Sequence, residues 1–498
     1  CLSMPSILIF VFPSTDTEIP SGTAISTGWL SPSRRFSPQS SCLQIRGYFH
    51  MMKDMKKVLT IAGSDSGGGA GIQADIKTIT LLGSYGMSVI TALTAQNTVG
   101  IEAVLGVPES FVGKQIDAVL KDIGADAVKV GMLANAKILK IVAGKIRKYK
   151  IDKVIVDPVM VAKSGHVLLS RQAHGALKSH LLPLTFVLTP NIPEASALCG
   201  IEIRNLKDLE KAAKAIYHLG PKNVLIKGGH LEDGKALDLL YDGKEFFEYT
   251  AERIETKNTH GTGCSYSAAI STFIAQGEPV FKAIQKAKQF ITNAIRFSLD
   301  IGKGHGPVNP YAPIAREMAK YHAIEELKEA INILKQKPIG FLIPEVQSNL
   351  GFALPYATSP QDIAAIPGRI VAFRDSIATV SHPEFGASRH IAQVILTVMK
   401  YDKQLRAAMN IRFDENFIKR CKLLKFRVRS FDRQYEPEKV KEREGSSLKW
   451  GIETIVKEEG LVPDIIFDKG DVGKEPMIRV IGRDPMDVVH KILKAGGF

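Results

Sequence analysis

The stretch Asn258-Thr259-His260-Gly261-Thr262-Gly263-Cys264 sets two glycines around a threonine. Its cysteine opens a run of small and apolar residues, Ser265 to Ala275. Glycines let the chain turn tightly enough for successive N–H groups to converge on one point. The run behind them, closed by Gly277, predicts a helix whose N-terminal dipole adds positive potential. That combination suits an anion, above all the charge that develops on a phosphoryl group in transfer. A cysteine at such a helix start is expected to have a lowered pKa and to act as base or nucleophile. A Gly-rich turn before a buried cysteine and an ordinary helix would use the same residues.

Other loops carry polar residues of the same kind. Gly63 to Gly71 is Gly-rich, but its spacing is neither that of a P-loop nor that of a dinucleotide fingerprint. Gln96-Asn97-Thr98 offers an amide that can read the donor and acceptor edge of a heterocycle. Gly131-Met132, Asp157-Pro158-Val159-Met160, Asn191-Ile192-Pro193-Glu194 and Lys227-Gly228-Gly229-His230 follow. Each alone is explained by turn chemistry or packing. Seven at one rim point to function.

Elements must hold those loops. Val58 to Ala62, Ser88 to Ala95, Ala127 to Val130, Val154 to Val156, Phe186 to Thr189 and Val224 to Ile226 read as strands, with helical stretches such as Ile72 to Leu82 between most of them. The alternation predicts an α/β fold, a mainly parallel sheet flanked by helices, with ligands beyond the carboxyl ends of the strands. Pro307 to Pro313 breaks the pattern, and Ile314 to Lys335 reads as a charged amphipathic helix. A second, smaller unit, α/β or α+β, begins near Ile339. Its strand candidates are Arg369 to Phe373 and Phe426 to Ser430, and its helices Arg389 to Lys400 and Leu448 to Glu459.

Composition narrows the classes. The 498 residues are 45% hydrophobic and 23% charged, as in a soluble globular protein. No apolar run reaches the ~18 residues that span a bilayer, so no membrane is expected. Five scattered cysteines give neither a disulfide framework nor a zinc pattern, which suggests a reducing compartment, the cytoplasm. The net charge of +14 suits anionic, phosphorylated small substrates; no nucleic-acid motif accompanies it. Residues 1–55 begin with Cys, are rich in Ser, Pro and Thr up to about residue 50, and end with Met51, Met52 and Met55 just before the first strand. They are expected to be a disordered leader or translated upstream sequence without a role in catalysis.

Residues 57 to 310 resemble the bifunctional hydroxymethylpyrimidine and hydroxymethylpyrimidine-phosphate kinases of thiamine biosynthesis, a ribokinase-like family. The resemblance rests on Ala62 to Asp65, Gly69 to Asp75, Ala95 to Thr98, Lys129 to Met132, Asp157 to Met160 and Thr189 to Asn191. It continues through Lys227 to His230, Asn258 to Cys264 and Gly302 to Val308. It implies a kinase over residues 56–310 with ATP as phosphoryl donor and Mg²⁺. Gly63, Asp75, Gln96 and Met132 would line the pyrimidine site, and Cys264 would activate the hydroxymethyl oxygen. Gly261, Thr262 and Gly263 would form the anion hole, with Asn191 and Lys227 at the phosphates. Glu194 and Asp157 would help place the metal, and the protein would be a homodimer. A related kinase acting on pyridoxal is the alternative; Gln96 and Met132 within their full motifs favour the pyrimidine.

Residues 311–335 are expected to be a linker and helix. Residues 336–498 resemble the ThiN-type thiamine-phosphate synthase domain, through Pro367-Gly368-Arg369, Phe385 to His390 and Asp468 to Pro476. The resemblance makes Arg369 and His390 the catalytic candidates for joining hydroxymethylpyrimidine diphosphate to thiazole phosphate. A ligand-sensing module without turnover is the alternative. Against it stand the presence of both residues and the lack of a DNA-binding unit elsewhere in the chain.

Overall fold

The computed structural model describes residues 55–160, 171–228, 235–437, 446–471 and 473–498. The expected N-terminal extension up to residue 54 lies outside them, as do Gly229 and His230 of the Lys227 loop and Val472. Lys56–Phe498 is one compact unit, and it holds two main sheets.

The first sheet is built from β1 (Lys57–Asp65), β2 (Tyr85–Gln96), β3 (Ile101–Gly106), β4 (Ala127–Val130), β5 (Val154–Val156), β6 (Val187–Leu188), β7 (Val224–Lys227), β8 (Lys235–Tyr241) and β9 (Phe246–Glu252). Its order is β3-β2-β1-β4-β5-β6-β7-β8-β9. Strands β2, β1, β4, β5, β6 and β7 run parallel; β3, β8 and β9 join antiparallel at the two edges. The central strands read as continuous apolar runs because helices cover both faces. On one face Leu59, Val128 and Val156 pack under the helix Ala136–Lys148; on the other Val58, Ile155 and Leu225 pack under Thr262–Ala275. The three antiparallel strands escaped the sequence reading. Half-exposed edge strands such as Phe246–Glu252 show no clean apolar run.

The second sheet comprises β10 (Leu350–Ala353), β11 (Ile363–Ala365), β14 (Glu384–Phe385), β15 (Ala407–Arg412), β16 (Val428–Ser430), β17 (Ile465–Asp468) and β18 (Met477–Gly482). A separate hairpin pairs β12 (Ile370–Phe373) with β13 (Ser376–Thr379). The sheet order is β14-β11-β10-β15-β18-β17-β16, antiparallel except for β16 beside β17. That pattern, with helices such as Arg389–Met399 and Pro485–Gly496 against it, is α+β rather than α/β.

The stretch read as a linker is part of this second core. Helix Ala312–Lys335 puts Ala323, Leu327, Ala330, Ile331 and Leu334 on one face. These spacings of three and four residues make one apolar stripe. They pack with Leu350, Ile366 and Ile492 in a single buried cluster.

Candidate functional site

At the carboxyl ends of the parallel strands lies a cavity of about 410 Å³. The Gly-rich loop after β1, the end of β2, the loops after β4, β5 and β6, the last residue of β7, and the start of helix Thr262–Ala275 all open into it. Of the residues singled out in the sequence, Gly63, Gln96, Met132, Asp157, Asn191, Glu194, Lys227, Gly261, Thr262, Gly263 and Cys264 line it together.

The helix start is shaped by its glycines. Gly261, the N-cap, has φ +77°, and a Cβ there would fall 1.8 Å from the Gly69 carbonyl oxygen. Gly263 faces a charged pair: a Cβ would sit 3.1 Å from Asp157 Oδ2 and 3.4 Å from Lys227 Nζ. Both positions keep the N–H end of the helix open to a ligand.

Asp75 departs from expectation. It is fully buried and does not line the cavity. Its place in the first turns of helix Gly71–Leu81 turns it inward, where Oδ2 accepts from Thr60 Oγ1 at 2.6 Å and from Lys129 Nζ at 2.8 Å. Lys129, on β4, does line the cavity. Burial alone would depress the ammonium pKa, but Asp75, with Cys264 and Asp157 adding to it, holds it well above its usual value. Burial pushes the Asp75 carboxyl up while Lys129 pulls it back. With a firm cation 2.8 Å away, the pair is ionic. Asp75 therefore acts by holding Lys129.

Cys264 also differs. The helix dipole does not win there: burial pushes the thiol up to about 11, against the pull of Lys129. At neutral pH it is a thiol, not the partial thiolate expected from its position.

The carboxylates have structural partners. Glu194 completes a capping box, its Oε2 accepting from the Asn191 N–H at 2.9 Å and Oε1 from the Met160 N–H at 3.3 Å. Burial raises its pKa, with Lys227 opposing. Asp157 Oδ1 accepts from Lys227 Nζ at 2.8 Å, leaving Oδ2 beside Gly263. Among the described residues no cluster of three His, Cys, Asp or Glu side chains is arranged to hold a metal. This donor set fits a Mg²⁺ held largely by water and nucleotide phosphates, with one free carboxylate oxygen to steer it.

Asp65 and His260, both within the sequence motifs, meet at the cavity wall. Asp65 accepts from the N–H groups of Gly67, Gly69 and Ala70, which fixes the Gly-rich loop. Burial works against its charge, yet His260 and those N–H groups keep its pKa below the usual range. His260 Nε2, 3.0 Å from Asp65 Oδ2, donates to that carboxylate and so ties the turn before the helix to the Gly-rich loop, with Gln96 Nε2 3.3 Å away.

A second cavity, of about 980 Å³, opens in the second half. It brings Arg369 and His390 together, with Asn349, Asn410, Arg433, Lys474 and Arg479. Arg369 sits at φ +67° on the exposed rim, and its guanidinium donates to the Val346 carbonyl. His390 follows Ser388, the N-cap of helix Arg389–Met399. The residue is exposed to the cavity, and the crowding of protein around the ring, then Arg479, Arg369 and Arg433, push its pKa down to about 4. Water reaches the side chain and screens part of that repulsion, but the imidazole is neutral at pH 7. The sequence signal for Arg479 was an arginine inside the apolar run Met477 to Gly482.

Residues 65–309 match the family model described as phosphomethylpyrimidine kinase, and residues 326–494 the one described as thiamine-phosphate synthase ThiN. The hydroxymethylpyrimidine/phosphomethylpyrimidine kinase of Bacillus subtilis is 49% identical over 257 residues, covering 51% of this chain and 95% of that protein. The thiamine biosynthesis bifunctional protein ThiED of Geobacter sulfurreducens is 54% identical over 252 residues, so the chain spans about half, 51%, of that relative's length and is itself covered over 51%. A solved phosphomethylpyrimidine kinase from Clostridium difficile is 45% identical, covering 48% of this chain and 99% of that one, with a TM-score of 0.44. With a loop-lined cavity at the carboxyl ends of a parallel sheet, and with 49% identity over 95% of the Bacillus protein, the chain belongs to the hydroxymethylpyrimidine/phosphomethylpyrimidine kinase family.

Proposed function

We propose that the chain phosphorylates 4-amino-5-hydroxymethyl-2-methylpyrimidine with ATP and then phosphorylates the monophosphate. Its second half would join the diphosphate to thiazole phosphate, giving thiamine phosphate. One observation carries the kinase reading. A single cavity holds an amide able to read a heterocycle, Gln96, and a glycine-framed helix start, Gly261 to Gly263, with Cys264 behind it. Gly63 and Met132 would flank the ring.

In the first step the hydroxymethyl oxygen bonds the γ-phosphorus, the bond to the β-phosphate oxygen breaks, ADP leaves, and the hydroxyl proton passes to an oxygen of the transferred phosphoryl group and from there to water. The N–H groups at Gly261 to Gly263 and the ammonium of Lys227 meet the charge that spreads over the transferring oxygens. Asn191, capping its helix beside Lys227, keeps that end of the site in place. Mg²⁺, steered by Asp157 and through water by Glu194, would neutralise phosphate charge. A loose transition state leaves most of the catalysis to positioning and electrostatics. The nucleophile's proton need not leave in advance, and a neutral Cys264 would serve by holding the oxygen in line.

In the second step the methylene–oxygen bond of the diphosphate breaks, its electron pair going to diphosphate, and the thiazole nitrogen bonds the methylene carbon. Arg369 would stabilise the departing charge, and the neutral His390 would orient it by a hydrogen bond. The presence of both in one cavity favours a synthase over a sensor. Among the described residues no helix is long and apolar enough to cross a membrane, and the proposed setting is the cytoplasm. Edge strand β3 exposes Val104 at 41% and Leu105 at 67%, which supports a homodimer.

The test is the purified chain with pyrimidine, ATP, Mg²⁺ and thiazole phosphate, each phosphate ester being followed in time. Pyrimidine monophosphate, diphosphate and thiamine phosphate should appear in that order. Preferential phosphorylation of pyridoxal, or diphosphate that accumulates with thiazole phosphate present, would overturn the first or the second half of the reading.

A further inference from the structure

Two arginines meet one aspartate beneath the larger cavity. Arg479, within β18, is 1% exposed; Arg433, just after β16, is 7% exposed; Asp468, the last residue of β17, is fully buried. Asp468 Oδ1 accepts from Arg433 Nε at 2.7 Å and from the Gly470 N–H at 3.0 Å. Its Oδ2 accepts from Arg479 Nη1 at 2.6 Å and from Arg433 Nη2 at 3.3 Å. Within this triad one carboxylate faces two guanidiniums; the next buried carboxylate, Glu436, lies 3.9 Å from the ammonium of Lys474 and makes no hydrogen bond to either arginine. Arginine cannot shed its charge by losing a proton. The Arg479 Nε–H is buried with no hydrogen-bond partner among the described residues, although Arg479 lines the cavity. Phe431 backs both guanidiniums, its ring centroid 5.6 Å from Arg433 Cζ and 5.8 Å from Arg479 Cζ.

Stability does not account for this cluster. Apolar residues of similar volume commonly replace a buried ion cluster with no loss, whereas surplus buried charge is costly. A ligand anion removes the cost. We propose that Arg433 and Arg479, held by Asp468, form a fixed subsite for a phosphoryl group of a phosphorylated substrate in the second cavity, separate from Arg369 on the rim. The inference rests on the synthase reading of that cavity, in which two anions are bound at once. One is a diphosphate that must depart, the other a monophosphate that stays on the product. A rigid, backed, buried pair suits the group that must not move while the bond to diphosphate breaks, the thiazole monophosphate. The exposed Arg369 suits the group that leaves.

The test uses the full chain and calorimetric titration with thiazole phosphate, pyrimidine diphosphate and inorganic diphosphate. Pyrimidine kinase turnover of the same preparation and the melting of the second half report folding. Arg433→Gln should weaken thiazole phosphate binding by about tenfold to a hundredfold and raise its KM more than it lowers kcat. Binding of the two diphosphates should change less. Arg433→Lys, which keeps the charge but not the forked geometry, should fall between. It carries the test if the glutamine variant fails to fold. A loss falling on the diphosphates instead would keep the subsite and overturn its assignment to the monophosphate. Folded variants that bind every ligand as wild type does, or a wild-type chain that binds none of them, would overturn the subsite itself. Wild-type binding that Arg433→Gln abolishes, with no thiamine phosphate ever formed, would sink the synthase reading and leave the subsite standing.

Discussion

Cys264 is protonated at neutral pH because burial outweighs both Lys129 and the helix start. A thiolate base with a pKa near 11 would make kcat climb about tenfold per pH unit below that value. We therefore expect a flat kcat for pyrimidine phosphorylation between about pH 7 and pH 9. Cys264→Ser, which keeps a group able to hold the substrate hydroxyl, should lose less turnover than Cys264→Ala. A tenfold-per-unit climb that disappears in Cys264→Ser would restore the thiolate base. His390 gives a second pH prediction. Its folded pKa lies near 4, below the ordinary 6.5. Between these values the unfolded chain binds a proton that the folded chain does not, so stability must fall as pH drops from about 6.5 towards 4. His390→Gln should lose that part of the acid destabilisation in denaturant titrations at several pH values. An unchanged pH dependence would mean that water screens the three guanidiniums completely.

At the scale of elements, the helix Thr262–Ala275 and its entry turn depend on Gly261. Alanine there would need φ +77° and would overlap the Gly69 carbonyl. Gly261→Ala should tilt the helix start away from the Gly-rich loop, lower the melting temperature and cut kinase turnover by about a hundredfold or more. Thiamine phosphate formation from supplied diphosphate should be preserved. Equal loss of both reactions would mean that the damage spreads through the whole chain. This turn was legible in the sequence because its parts are contiguous, as were the strand runs Ala127 to Val130 and Val154 to Val156. Asp75 and Lys129 were not legible as a pair. They are far apart in the chain, and only the parallel pairing of β1 with β4 brings the helix carboxylate over the strand ammonium. Arg479 was hidden for the same reason, since its partner Asp468 lies on the neighbouring antiparallel strand. Sequence spacing shows which residues can do chemistry, and strand order decides which of them meet.

For the whole molecule, helix Ala312–Lys335 decides where the chain can be divided. Its apolar stripe belongs to the second core, so a fragment from Ala312 should fold alone and melt cooperatively. One beginning at Ile339 would expose Leu350, Ile366 and Ile492, which the helix covers. Circular dichroism melts of the two fragments check this, and equal stability would return the helix to the role of a linker. The order of the strands has a further consequence, for synthesis. Apart from its first three strands, the large sheet runs from β4 to β9 in the order in which the strands are made, so each finds its neighbour already in place as it leaves the ribosome. The smaller sheet is closed through its middle: β15 pairs with β18, joining Ala407–Arg412 to Met477–Gly482. That half must wait, with β15 paired on one side only and β16 without its neighbour β17, until almost the last residue has emerged. A nascent chain stalled near residue 450 should already carry a protease-resistant kinase behind a tail that is still cut, the two activities being born one after the other.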